Sequence, residues 1–267
     1  MSRPVGVRRR MRLLAALALV ACGALLEPLA AGARTAEEAF AEGERAYAAA
    51  NLEDARKAYA EALQASPSDV RTMCRLSRVE SELGETQKGD VQRRTWADAV
   101  VHAREAVRLA SEQSEPHITL AVALGRQALH EGARTRLALS KEIKAETDLA
   151  LQKDPNNGRA WHVLAMWNVK IASLNTFDRM IAGSVLGGVP PGASYANADQ
   201  AFQKAIALEP EYVNHRLEYG RFLKDQKRTA DARRELEKAI ALPATSSALD
   251  ARFQADARQL LEKLPKK

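Results

Sequence analysis

Apolar positions in this chain recur at intervals of three and four, the spacing that puts side chains on one face of an α-helix. The clearest instances are Ala55-x3-Tyr59-x2-Ala62, Ala198-x3-Phe202-x2-Ala205 and Ala232-x3-Leu236-x2-Ala239. The small residues let a neighbouring helix approach, and the larger one fills the gap between them. Runs of this kind stop at prolines: Pro67, Pro155, Pro210 and Pro243 close EALQASP, LALQKDP, KAIALEP and KAIALP. A proline inside a helix costs ~3 kcal/mol or more, so these four mark helix ends. Composition agrees. Alanine, the strongest helix former, fills 51 of 267 positions, and aromatic residues only 5%.

A first helix precedes each of these runs. Trp161-x2-Leu164-Ala165 and Tyr219-Gly220-x2-Leu223 carry its core positions. Together the two patterns resemble the 34-residue tetratricopeptide repeat (TPR), W-x2-L-G-x2-Y…A-x3-F…P. The expected fold is all-α, a TPR-type solenoid of about five helix pairs over 36–69, 70–113, 114–157, 158–212 and 213–246. The second, third and fourth units exceed the standard length, the fourth by the most. In the second, Trp96, Ala99 and Ala106 hold the register without a closing proline; the third shows only Ala150, Leu151 and Pro155 clearly. A last helix over 248–264, capped by Ser247, presents Leu249, Phe253, Ala257, Leu260, Leu261 and Leu264 at helical spacing. Solenoids need such a cap over the final apolar face.

Residues 145–264 are similar to the regulator of microtubule dynamics family. The landmarks are Asp154-Pro155-Asn156-Asn157, Trp161-x2-Leu164-x2-Trp167, an insertion at 174–195, Tyr195-x2-Ala198-x3-Phe202-x2-Ala205 closed by Glu209-Pro210, and Ala239-x2-Leu242-Pro243. Inside the insertion, Leu186-Gly187 and Pro190-Pro191-x-x-Ser194-Tyr195 resemble that family's LFG-x-PPS-x-x-Y/F-x-x-A run. Leu174-Asn175-Thr176-Phe177-Asp178 stands where family members usually carry a tryptophan-containing SWWE or SWIE. The resemblance implies an all-helical TPR domain. Some members tether organelles and bind phospholipids through it; others are linked to microtubules.

The ends and the charge change the picture. Residues 1–12 are basic, 13–26 apolar and uncharged, and Glu27-Pro28 ends the run, the form of an export signal. Cleavage after Ala31-Gly32-Ala33 is one reading. Lipidation of Cys22, which follows Leu19-Val20-Ala21 as in a bacterial lipobox, is another, and an uncleaved anchor is a third. The body at 34–267 is then periplasmic or attached to the outer membrane of a bacterium, where no microtubule awaits it. The formal charge of +6 belongs mostly to this segment, where five arginines face Glu27. The remainder is nearly neutral, which argues against a nucleic-acid partner. With Cys22 removed, Cys74 has no partner for a disulfide.

In a TPR superhelix the first helices line the concave face. The register places Phe40, Tyr47, Arg71, Cys74, Arg78, Ile118, Val122, Arg126, Arg159, His162, Met166, Lys170, Leu217, Arg221 and Lys224 there. That mixture suits a ligand with an apolar part and an anionic head, since arginine forks hold carboxylate or phosphate in two hydrogen bonds. Alternatively the cations form a solvated face balanced by Glu37, Glu44, Glu82, Glu115 and Asp225. The insertion is a second candidate. Phe177, Met180, Ile181, Val185, Leu186 and Val189 make it apolar, while Gly187, Gly188, Pro190, Pro191 and Gly192 prevent a long helix. It either plugs the groove or binds a lipid chain, or else packs on the fourth repeat.

No HExxH, GxSxG, P-loop or zinc-spaced Cys–His set occurs. The expectation is a binding protein without enzyme activity, cofactor or metal. Its partner is a protein or peptide of the cell envelope, with a phospholipid as the alternative. Membrane contact would come only through a lipid anchor or the apolar insertion.

Overall fold

The computed structural model describes residues 34–175, 179, 183, 188, 191–245 and 247–265. Among these, local signals set the helices. Thr35 opens α1 (Ala36–Ala48) with a capping box: its hydroxyl accepts the Glu38 N–H and the Glu38 carboxylate accepts the Thr35 N–H. Asn51 caps α2 (Leu52–Ala65), Asp69 caps α3 (Val70–Gly84), Asn157 caps α7 (Gly158–Ala172) and Ser194 caps α8 (Tyr195–Leu208). Between them stand α4 (Gly89–Leu109), α5 (Ser114–Gln127) with a 3₁₀ turn at Ala128–His130, and α6 (Ala133–Lys153). The chain finishes with α9 (Val213–Asp225), α10 (Thr229–Ala241) and α11 (Asp250–Glu262). Each of the four marker prolines falls two residues beyond a helix end. There is no strand among the described residues.

The helices pack as α1 on α2, α3 on α4, α5 on α6, α7 on α8 and α9 on α10, with α11 against both α9 and α10. This is the predicted TPR-type solenoid. Ala55, Tyr59, Ala62, Ala198, Phe202, Ala205, Ala232, Leu236 and Ala239 are all fully buried at the pair interfaces. Approach is close at Gly43, where an added Cβ would stand 2.5 Å from the Tyr59 ring, and closer still at Gly84 against the Trp96 indole. The extra length of the second and third repeats lies partly in α4 and α6, each of 21 residues against 14 for α2.

The solenoid closes on itself. Buried residues of α1–α3 and α7–α11 join in one apolar cluster, while α4–α6 hold smaller clusters of their own. Across the closure, Ser247 Oγ donates to Glu82 at 3.3 Å and Arg252 donates to the Glu85 carbonyl at 2.9 Å. Ser247 does not start the last helix directly. Its N–H donates to Asp250 Oδ2 at 2.9 Å and its Oγ accepts the Leu249 N–H at 3.1 Å, so a turn precedes the helix, which begins at Asp250.

Candidate binding groove

The first helices of successive pairs carry cations toward the inner face, and Arg78, Arg126 and Arg159 each meet an acid. Arg78 on α3 donates from Nε to Glu82 Oε1 at 3.1 Å. The Tyr47 hydroxyl donates to the same carboxylate at 2.9 Å, and the Arg78 guanidinium lies 5.0 Å from the Tyr47 ring centre. Arg126 on α5 pairs with Glu85, and Arg159 on α7 pairs with Glu115. Burial works against the Arg159 charge, yet Glu115 beside it outweighs that and raises the guanidinium pKa. Burial also raises the phenol pKa values of Tyr47 and Tyr212, so both hydroxyls remain protonated donors.

A cavity of about 450 Å³ opens where Arg78, Arg159 and Tyr212 converge with Glu209, Pro210 and Glu211. Its far wall is the loop between α8 and α9. That loop sits close because α7 begins with a glycine: a Cβ at Gly158 would stand 2.7 Å from the Glu209 side chain. Deeper in, fully buried His215 bonds Glu209 Oε2 through Nε2 at 3.0 Å and His162 Nδ1 through Nδ1 at 3.1 Å, with the two rings stacked at 4.8 Å. A carboxylate only accepts, so the His215 proton belongs on Nε2 and His162 Nδ1 is the donor between the rings. Burial lowers both imidazole pKa values; His215 further disfavours charge on His162, while Glu209 offsets the effect in part at His215.

The predicted groove residues divide by depth. Ile118 and Leu217 are buried in the core, with 0% and 1% exposure, and offer a ligand no surface. Phe40 and Cys74 are buried too, Phe40 beneath the Arg71 guanidinium at 3.8 Å. Tyr47, Arg78, Val122, Arg126, His162, Met166 and Lys224 are half-buried, and Lys170 and Arg221 are exposed. The acids expected to dilute the charge are direct partners: Glu37 of Arg71 at 2.6 Å, Glu44 of Arg75 at 2.8 Å and Asp225 of Lys224 at 3.3 Å, besides Glu82 and Glu115. Sequence reasoning missed Glu209, Tyr212 and His215 as part of the site; the EP turn marked a helix end without showing that it faces Arg78. Of the insertion residues, Phe177, Met180, Ile181, Leu186, Gly187 and Pro190 lie outside the described residues, as does Cys22. Pro191 is exposed in the turn leading to α8.

Among solved structures, a thermophilic TPR protein of Thermus thermophilus aligns over 83% of this chain and 98% of its own, with a TM-score of 0.61 and 14% identity. Regulator of microtubule dynamics protein 3 of Rattus norvegicus is 26% identical over 188 residues, covering 70% of this chain and 40% of that protein. Protein 1 of the same name from Bos taurus is 24% identical over 151 residues, 56% of this chain and 47% of that one. The chain thus spans less than half the length of these relatives. The family described as regulator of microtubule dynamics protein 1-3 matches residues 33–265, nearly the whole described body. The chain belongs to that family.

Proposed function

We propose that this chain is a scaffold that binds a protein or peptide partner on its inner face. The observation that carries the reading is the convergence of two guanidinium groups and one protonated phenol on a cavity of about 450 Å³. Arg78 and Arg159 come from different repeats, so a rigid solenoid holds their spacing without side-chain search. An anionic side chain or chain terminus suits that pocket, with half-buried Met166 and Val122 further along offering apolar contact. Binding rather than catalysis fits the chemistry. Burial pushes the Cys74 thiol up to about 12, so it is not a nucleophile at neutral pH.

The test is to pan the purified chain against a peptide library. Peptides carrying a carboxylate or phosphate should be enriched, and Arg159→Glu should remove them while the helical circular dichroism stays. Enrichment unchanged by Arg78→Glu and by Arg159→Glu would sink the groove. Phospholipid is the second reading, favoured by the family's resemblance and the apolar insertion. Stoichiometric phospholipid in an organic extract of the purified chain would favour it over peptide. Export is a further part of the proposal and rests on the basic and apolar segments before residue 34. Mass spectrometry of the isolated protein should find Arg34 or a lipidated Cys22 as the first residue; residues 1–33 still attached in the cytoplasm would overturn it.

A further inference from the structure

The face of α7 turned away from the groove carries a second cavity, of about 490 Å³, bounded by α6, α7 and α8. At 100° per residue, Trp161, Leu164 and Trp167 lie on the side of α7 opposite Arg159, His162 and Met166. The two indoles have already used their polar edges. Trp161 Nε1 donates to the Pro155 carbonyl at 2.8 Å and Trp167 Nε1 to the Ser140 carbonyl at 2.9 Å. Those bonds fix both rings; half-buried Trp161 turns carbon surface toward the cavity, and Trp167, 6% exposed, backs it. Leu164 lies between them. Asn168 beneath is also satisfied, accepting the Ser194 N–H at 3.2 Å and donating to the Leu164 carbonyl at 2.9 Å. The floor is therefore preformed, apolar at the indoles, Leu164 and Ala201 and polar at Asn168, Asn197 and Gln200.

The rim is cationic. Lys144 of α6 holds its ammonium 5.3 Å from the Trp167 ring centre and is paired with Asp148 at 2.6 Å. Lys204 of α8 is exposed on the other side and makes no ion pair among the described residues. Among the described residues no carboxylate lines the cavity. A flat indole wall, amide side chains beside it, one unbalanced ammonium and a volume within the range of small-molecule sites select a ligand class. We propose that this outer cavity binds a compact aromatic anion, a planar ring bearing one carboxylate or sulfonate, with the ring against Trp161 and Trp167 and the anion at Lys204.

The probe is 1-naphthoate, compared with its neutral amide, on the full chain. Two of the three tryptophans line the cavity, so tryptophan fluorescence reports occupancy, and calorimetry reports stoichiometry. The expected result is saturable 1:1 quenching that weakens with salt and is about tenfold weaker for the amide and for Lys204→Glu. Lys204 is exposed, so that variant should fold; unchanged circular dichroism checks it. Trp161→Leu should weaken binding of both probes. Arg159→Glu, in the groove, should leave naphthoate binding as it is. Absence of saturable binding, equal affinity for naphthoate and amide, or indifference to Lys204→Glu would overturn the site. Loss of binding in Arg159→Glu alone would move the anion to the groove and overturn it as well.

Discussion

One helix, α7, shows two faces with opposite electrostatic character. Toward the groove, Arg159 is matched by Glu115 and His162 donates a hydrogen bond to His215. Away from it, Trp161, Leu164 and Trp167 form an apolar wall whose rim carries lysine in excess of acid. On the inner face Arg78, Arg126 and Arg159 are already paired before any ligand arrives. An anion entering there must exchange with Glu115 or Glu82, so its net gain is the difference between two ion pairs. At the outer cavity an anion near Lys204 displaces only water. The inner face therefore gives selectivity through geometry, and the outer one affinity through unspent charge.

The largest expected effect comes from the residue that supports both faces. Phe202 on α8 is fully buried, with ring centres 5.9 Å from His162, 5.4 Å from Tyr219 and 5.6 Å from Phe222. Phe202→Ala should cost about 3–5 kcal/mol in urea denaturation and loosen groove and cavity together. A cost near zero would mean that the two faces do not share this support. Next is the completeness of the inner charges. Glu82→Ala removes the carboxylate that accepts from both Arg78 and Tyr47 and should cost about 2–4 kcal/mol. The double variant Arg78→Met with Glu82→Leu should regain most of that. If the double variant is no better than the single, the loss comes from packing at the Ser247 closure and not from the uncompensated charge.

How much of this the sequence displays depends on the range of the contact. Ala55, Tyr59 and Ala62 meet partners one helix away, so a 3.6-residue period suffices to place them, and all three are buried as that period implies. The marker prolines likewise report a local event. The inner face is harder. Position on a wheel says which way a side chain leaves its helix, not how tightly the superhelix closes. The contact between Ser247 and Glu82 joins residues 165 apart, and no local spacing announces it. Ile118 and Leu217 sit at groove positions by register, yet neighbouring helices bury them. His215 meets His162 from 53 residues away for the same reason. The family resemblance, carried by landmarks from 145 onward, proved narrower than the family's actual reach of 33–265, because the early repeats keep the packing pattern without the motifs.

The histidine pair gives a smaller, pH-dependent effect confined to the inner face. Both imidazoles titrate below their unfolded value of about 6.5, so between that pH and their folded values the unfolded chain binds more protons. Stability should therefore hold above about 6.5 and fall as the pH drops beneath it. Buried Glu85 and Glu218, whose pKa values burial raises, act in the opposite sense from about 4.5 upward. The diagnostic is thus the difference between the wild type and His162→Asn, in which the shared carboxyl contributions cancel. His162→Asn should flatten the loss between pH 6.5 and 5. An identical pH profile would show that the pair does not resist protonation.

The smallest effect should fall on the outer rim. Lys144 pairs with Asp148 one turn along α6, with 29% and 54% of their side chains exposed. Exposed pairs at this spacing contribute only about 0.3–0.5 kcal/mol, because water screens the charges and two long side chains lose freedom. Asp148→Ala should therefore cost no more than about 0.5 kcal/mol in stability. It frees the Lys144 ammonium over the Trp167 ring, so naphthoate binding should strengthen as the second rim cation becomes available. Stability and binding then move in opposite directions at one residue. On the inner face the corresponding change, Glu115→Ala, releases Arg159 but removes the acid that holds it in place. If Asp148→Ala weakened naphthoate binding instead, the outer rim would depend on its ion pair as the groove does, and the contrast between the two faces of α7 would fail.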